Sequence, residues 1–100
     1  METDRITVFE CDQFCIELEY NSEYVIWHTR DVKNFNRAAF RRMREFSDQL
    51  ERFLSLHYTV IYTAMDPARK DLAKLAMHGG FKPFAHSEGL DVYRKPLVRS

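Results

Sequence analysis

Cysteine is scarce in this 100-residue chain, with only Cys11 and Cys15. Two cysteines without a secretory leader cannot build a disulfide framework. On a shared strand a spacing of four sets them roughly 13 Å apart, too far for a bridge. No second Cys/His pair at ligand spacing follows, and His28, His57, His78 and His86 are scattered. The cysteines read as small apolar fillers, and no metal is expected. Net charge is missing too. Fifteen Lys+Arg balance fifteen Asp+Glu, which removes the strongest argument for a nucleic-acid binder. No apolar run approaches the roughly 20 residues that span a bilayer, and the opening residues Met1 to Arg5 do not begin a signal peptide. No membrane or nucleic-acid partner is expected, and the location expected is cytoplasmic. Repeats, linkers and low-complexity stretches are absent, so residues 1–100 read as one domain.

Aromatics are plentiful: eight Phe, five Tyr and one Trp make 14% of the chain. Each buries roughly 150–250 Å², so few residues can fill a small core. Charge is balanced in total but not along the chain. Residues 1–23 hold seven acids and one base, whereas residues 30–44 hold six bases and one acid. Such asymmetry fits an acidic sheet face beside a basic helix face, or an anion site near residues 33–44.

Ile6–Phe9 and Phe14–Tyr20 read as strands. In the second, Phe14, Ile16, Leu18 and Tyr20 take one face, and Cys15, Glu17 and Glu19 take a solvated one. After a turn at Asn21-Ser22-Glu23, Tyr24–Thr29 is apolar enough for a central strand. Ala39, Phe40, Met43, Phe46, Leu50, Phe53 and Leu54 then recur at three and four residues, predicting a long amphipathic helix over about 36–55. Tyr58–Thr63 reads as a buried strand. Asp66-Pro67 reads as the cap and first position of a second helix, which Gly79-Gly80 ends near His78. Residues 81–86 and 90–95 read as a hairpin around Ser87-Glu88-Gly89. The order is β-β-β-α-β-α-β-β. The strand–helix–strand crossover over residues 24–64 requires a parallel pair in an otherwise antiparallel sheet. The fold class is α+β with a mixed sheet.

This order, with a long helix after a central strand and a short helix ending in Gly-Phe, resembles the later part of the GNAT N-acetyltransferase fold over about residues 5–96. The family carries Arg/Gln-x-x-Gly-x-Gly/Ala at the start of its long helix, where backbone N–H groups cradle the pyrophosphate of acetyl-CoA. Here the stretch is Lys33-Asn34-Phe35-Asn36-Arg37-Ala38, with Asn36 in place of the first Gly. Asn tolerates positive φ best among non-glycine residues. Ala76-Met77-His78-Gly79-Gly80-Phe81 is similar to the family's Tyr-x-x-x-Gly-Phe, with Ala76 where the general acid stands. The resemblance implies a chain that starts at the family's second strand, without the front strand and helices that shape the acceptor cleft. It is similar to short GNAT-like proteins of tailed bacteriophages, including internal virion proteins of short-tailed phages.

That resemblance implies a non-catalytic phage protein that binds a host or virion protein, in the host cytoplasm or the virion. The alternative is a small acetyl-CoA-dependent N-acetyltransferase acting on a protein or small amine. The implied cofactor site is Lys33, Asn34, Asn36, Arg37, Ala38 and Arg41, with weak acetyl-CoA binding. No catalytic residue is assigned. Tyr58, Tyr62 and Tyr93 read as core, His78 as a helix C-terminal capping partner, and Glu17 and Glu19 as the wet face. Trp27 rather than His28 is expected to face the core. Docking on a partner, or a homodimer, is expected to cover an apolar face at Phe14, Ile16 and Leu18 that would otherwise stay wet.

Overall fold

The computed structural model describes residues 2–98. Six strands and two helices run in the order β1 (Asp4–Glu10), β2 (Cys15–Tyr20), β3 (Val25–Arg30), α1 (Arg37–Leu54), β4 (Val60–Met65), α2 (Lys70–His78), β5 (Lys82–Ser87) and β6 (Leu90–Pro96). They form one mixed sheet in the order β1-β2-β3-β4-β6-β5. The meander β1–β2–β3 is antiparallel, and β3 and β4 are parallel neighbours, as the crossover requires. Their pairing is short. It holds at Ile26↔Tyr62 and Trp27↔Thr63 and ends there. The Thr63 hydroxyl closes the last rung by donating to the Trp27 carbonyl at 2.8 Å. Beyond it, the ends of β3 and β4 part.

Cross-strand neighbours point to the same face, so the register sorts the side chains. Phe14, Ile16, Val25 and Ile61 are completely buried on one face. Each is worth about 1.5–3 kcal/mol of hydrophobic transfer. Both helices pack on this face: Ala39, Met43 and Leu54 of α1 lie in the same core, with Leu72, Leu75 and Ala76 of α2 against it. Phe9 stacks on Phe14 at 5.3 Å and meets Phe46 of α1 at 4.8 Å. The Phe14, Ile16 and Leu18 face expected to be wet is therefore covered by the chain's own helix. That removes the motive for docking there.

The helix-free face is not simply wet either. Glu17 is buried at 7% exposure. Arg5 and Arg30, on the flanking strands, lie across it at 3.6 and 3.4 Å. Their long side chains shield a carboxylate that alternation alone assigns to solvent.

Two boundaries move for local reasons. Strand β4 begins at Val60 rather than Tyr58, because His57 and Tyr58 still donate to Leu54 O at the end of α1. It also alternates, with Ile61, Thr63 and Met65 buried and Val60, Tyr62 and Ala64 half-exposed, so it has a second, partly open face. Asp66-Pro67 closes a turn and does not cap α2. Its carboxylate accepts from Ala68 N at 2.8 Å and its carbonyl from Arg69 N at 2.9 Å. Helix α2 starts three residues later at Lys70.

The end of α2 explains its Gly-Phe. Phe81 N donates to Ala76 O at 3.0 Å and Gly80 N to Met77 O at 3.1 Å, a paired cap that needs a left-handed residue. Gly80 supplies it at φ 95°, and Phe81 then drops into the core. No helix of the described residues is long and apolar enough to cross a membrane.

Candidate functional site

The loop between β3 and α1 is held from both sides. Lys33 N donates to Gln13 O at 2.9 Å, and the Gln13 side-chain amide donates to Asn34 O at 3.3 Å. Phe35 packs edge-on to Phe14 at 6.0 Å. The chain reverses through two positive-φ residues, Asp31 at 54° and Asn34 at 47°. The expectation that Asn36 takes the glycine-like conformation is therefore corrected: Asn36 is extended, at φ −125°. It acts as the N-cap of α1, its side-chain oxygen accepting from Ala39 N at 2.9 Å. One helix-start donor is thus engaged, while the N–H groups of Arg37 and Ala38 precede the first intrahelical bond, Phe40 N to Asn36 O.

Lys33, Asn34, Asn36, Arg37, Ala38 and Arg41 all come together at this helix start, and all six are exposed. Arg37, Arg41 and Arg44 succeed each other at helical spacing. Among the described residues none of the three forms an ion pair, and Glu51 is taken by Lys95 at 2.9 Å and by Ser47 at 2.6 Å. The first turn of α1 holds no acid. The helix dipole and the guanidiniums therefore add, and the N-terminus favours an anion.

Below this start, a cleft of ≈ 130 Å³ opens where β3 and β4 part. Thr29, Thr63 and Met65 form its floor, Phe40, Met43 and Arg44 of α1 one wall, and Leu75, Ala76 and His78 of α2 the other. Trp27 does turn inward, and its indole N–H donates to Thr29 Oγ1 at 2.7 Å. The volume suits a few heavy atoms.

The tyrosines lie elsewhere. Tyr58 donates its hydroxyl to Asn21 O at 2.6 Å, and burial, with Tyr20 nearby, pushes its pKa up. Tyr62 meets Phe84 on the helix-free face, and Tyr93 is buried. Ala76 does line the cleft, so that wall lacks a phenol. His78 is corrected from capping partner to cleft residue. The cap is made by backbone N–H groups, and the imidazole sits edge-on to Phe40 at 6.3 Å. Sequence reasoning missed the Met65 floor, because the apolar run read as this strand stops at Thr63, two residues before β4 ends.

On the helix-free face, Glu19 accepts from His28 at 2.9 Å, Thr3 at 2.9 Å and Arg5 at 3.0 Å. These bonds, that of His28 first, hold its carboxyl below the ordinary range. Among the described residues no three His, Cys, Asp or Glu side chains gather as a metal site.

A six-stranded mixed sheet that opens between two parallel strands at the head of a long helix is a GNAT-like fold. The solved structures similar to this chain agree. The N-acetyltransferase PseH of Campylobacter jejuni superposes with a TM-score of 0.67 at 11% identity, covering 86% of this chain and 60% of that one. Its complex with acetyl coenzyme A gives 0.66 at the same identity. A putative acetyltransferase from Sphaerobacter thermophilus DSM 20745 gives 0.53 at 13% identity, covering 87% of this chain and 62% of that one. The chain thus spans about three-fifths of the length of these neighbours. No protein-family model and no curated protein sequence matches it.

Proposed function

We propose that the chain binds acetyl-CoA, with the pyrophosphate at the head of α1 and the thioester in the cleft, and transfers the acetyl group slowly to an amine. One observation carries this reading: the parting of β3 and β4 beyond Trp27↔Thr63 opens a cleft whose wall runs onto the unpaired Arg37–Arg41–Arg44 face. Acetyl-CoA supplies the activated acyl group. The chain's residues hold its phosphates and shelter the thioester from water, while the amine nitrogen displaces the CoA sulfur. The amine passes its surplus proton to water, and the departing thiolate takes one from water, because Ala76 has none to give. General acid catalysis typically contributes 10²–10⁴-fold, and its loss makes turnover slow.

A second reading is favoured by that same Ala76: a non-catalytic protein, of phage origin, that uses the fold to bind a host or virion protein. Calorimetric titration with acetyl-CoA separates the two. Saturable binding, weakened at least five-fold by Arg37→Ala with Arg41→Ala, is the expected result. Absence of binding at millimolar acetyl-CoA would overturn the acyl-CoA reading and leave the second.

A further inference from the structure

A second groove, of ≈ 560 Å³, lies at the other end of the molecule and shares no lining residue with the cleft. Leu18, Val25 and Leu54 floor it, and Ile6 of β1 and Phe53 of α1 wall it. Both wall residues are half-exposed or more, Ile6 at 50% and Phe53 at 61%. The groove runs beside β1, which is the edge of the sheet. An edge strand presents unpaired N–H and C=O groups to any extended chain beside it. The surroundings are acidic: Glu2, Asp4, Glu10, Asp12 and Glu23 are exposed around β1 and the adjoining turns. Of the bases nearby, Arg5 is held by Glu17 and Glu19, and Arg42 of α1 lies against Cys11 in the turn after β1.

From this edge we infer that β1 and its groove take up an extended partner segment of alternating apolar and basic residues, added to the sheet as a seventh strand. Strand addition satisfies the edge through main-chain bonds, and alternate side chains then choose the partner. Apolar side chains on the helix side enter the groove against Ile6 and Phe53. Basic side chains fall on the helix-free face, where Glu10, opposite Cys15, is exposed. A second copy of this chain is the poorer occupant through this edge. Pairing β1 with itself brings two acidic edges together, and like charges across strands are destabilising.

The test uses two end-capped heptapeptides, one alternating lysine with valine and one alternating glutamate with valine, titrated by calorimetry and followed by amide exchange. The lysine peptide is expected to bind at least ten-fold more tightly, more weakly at high salt, and to slow exchange at alternate amides of β1. Ile6→Lys, at an exposed position whose fold is checked by circular dichroism, is expected to weaken it about ten-fold. Acetyl-CoA binding is expected to stay unchanged, which separates this inference from the proposed activity. Equal affinity for both peptides, no binding of either, or protection confined to α1 would overturn the inference. So would a dimer of the free chain with β1 already protected, which would place a second copy there.

Discussion

Asn36 gives the sharpest test of the site, because its cap and the proposed phosphate compete for the same donor. Its side-chain oxygen holds Ala39 N–H at 2.9 Å. An N-cap of this kind contributes about 1 kcal/mol, and glycine in its place costs only a few tenths. Asn36→Ala should therefore lower stability by about 1 kcal/mol, a Tm loss of roughly 4–8 °C for a domain of this size. The same change frees Ala39 N–H to face an anion. The work of breaking the cap then no longer opposes binding, and about 1 kcal/mol corresponds to about five-fold in Kd. Stability and affinity are thus expected to move in opposite directions. Asn36→Gly should show the tightening with little of the stability loss. Urea denaturation and acetyl-CoA calorimetry on the three proteins measure both quantities. Weaker binding by both variants would refute the reasoning, since Asn36 would then be contacting the ligand itself. An unchanged stability of Asn36→Ala would equally refute the assigned cap.

Restoring a phenol by Ala76→Tyr should raise acetyl transfer by up to about 10²-fold, at about 1–3 kcal/mol of stability for overfilling the cleft wall; thiol release from acetyl-CoA with a polyamine acceptor measures the first. Thr63→Val removes the hydroxyl on the Trp27 carbonyl and should cost about 1 kcal/mol, read by denaturation, with faster amide exchange in β3. Glu19 has a folded pKa below its ordinary 4.5, so its contribution is complete above that value and disappears as pH falls through the folded one. Wild type should therefore exceed Glu19→Gln in stability at pH 7 and lose that margin in acid. Burial raises the Cys11 thiol, but the Gln13 and Phe14 N–H groups and Arg42 outweigh it and the net shift is down, whereas burial and the Glu10 charge push Cys15 up. Iodoacetamide should label Cys11 well before Cys15, as peptide mass spectrometry would show.

The element order, the parallel β3–β4 pair and the basic head of α1 were legible in the sequence, because each rests on local signals. Period-two and period-3.6 apolar spacing separates strands from helices, and Gly79-Gly80 forces the end of α2 whatever packs on it. That Ala76 stands where the family keeps its general acid came from the resemblance to the GNAT fold, through its distance to the Gly-Phe. Other features required the folded chain. Asn36 reads as a positive-φ substitute for glycine, yet it is an extended N-cap, because Asp31 and Asn34 make the reversal and Gln13 ties the loop down. Glu17 alternates as a surface residue, yet Arg5 and Arg30 bury it from neighbouring strands that are distant in sequence. The expected wet patch at Phe14, Ile16 and Leu18 vanishes under α1, while the open groove appears beside Ile6 at the sheet edge. Spacing along one segment fixes which face a side chain takes. What lies across that face is set by the register of other segments, and only the tertiary fold decides it.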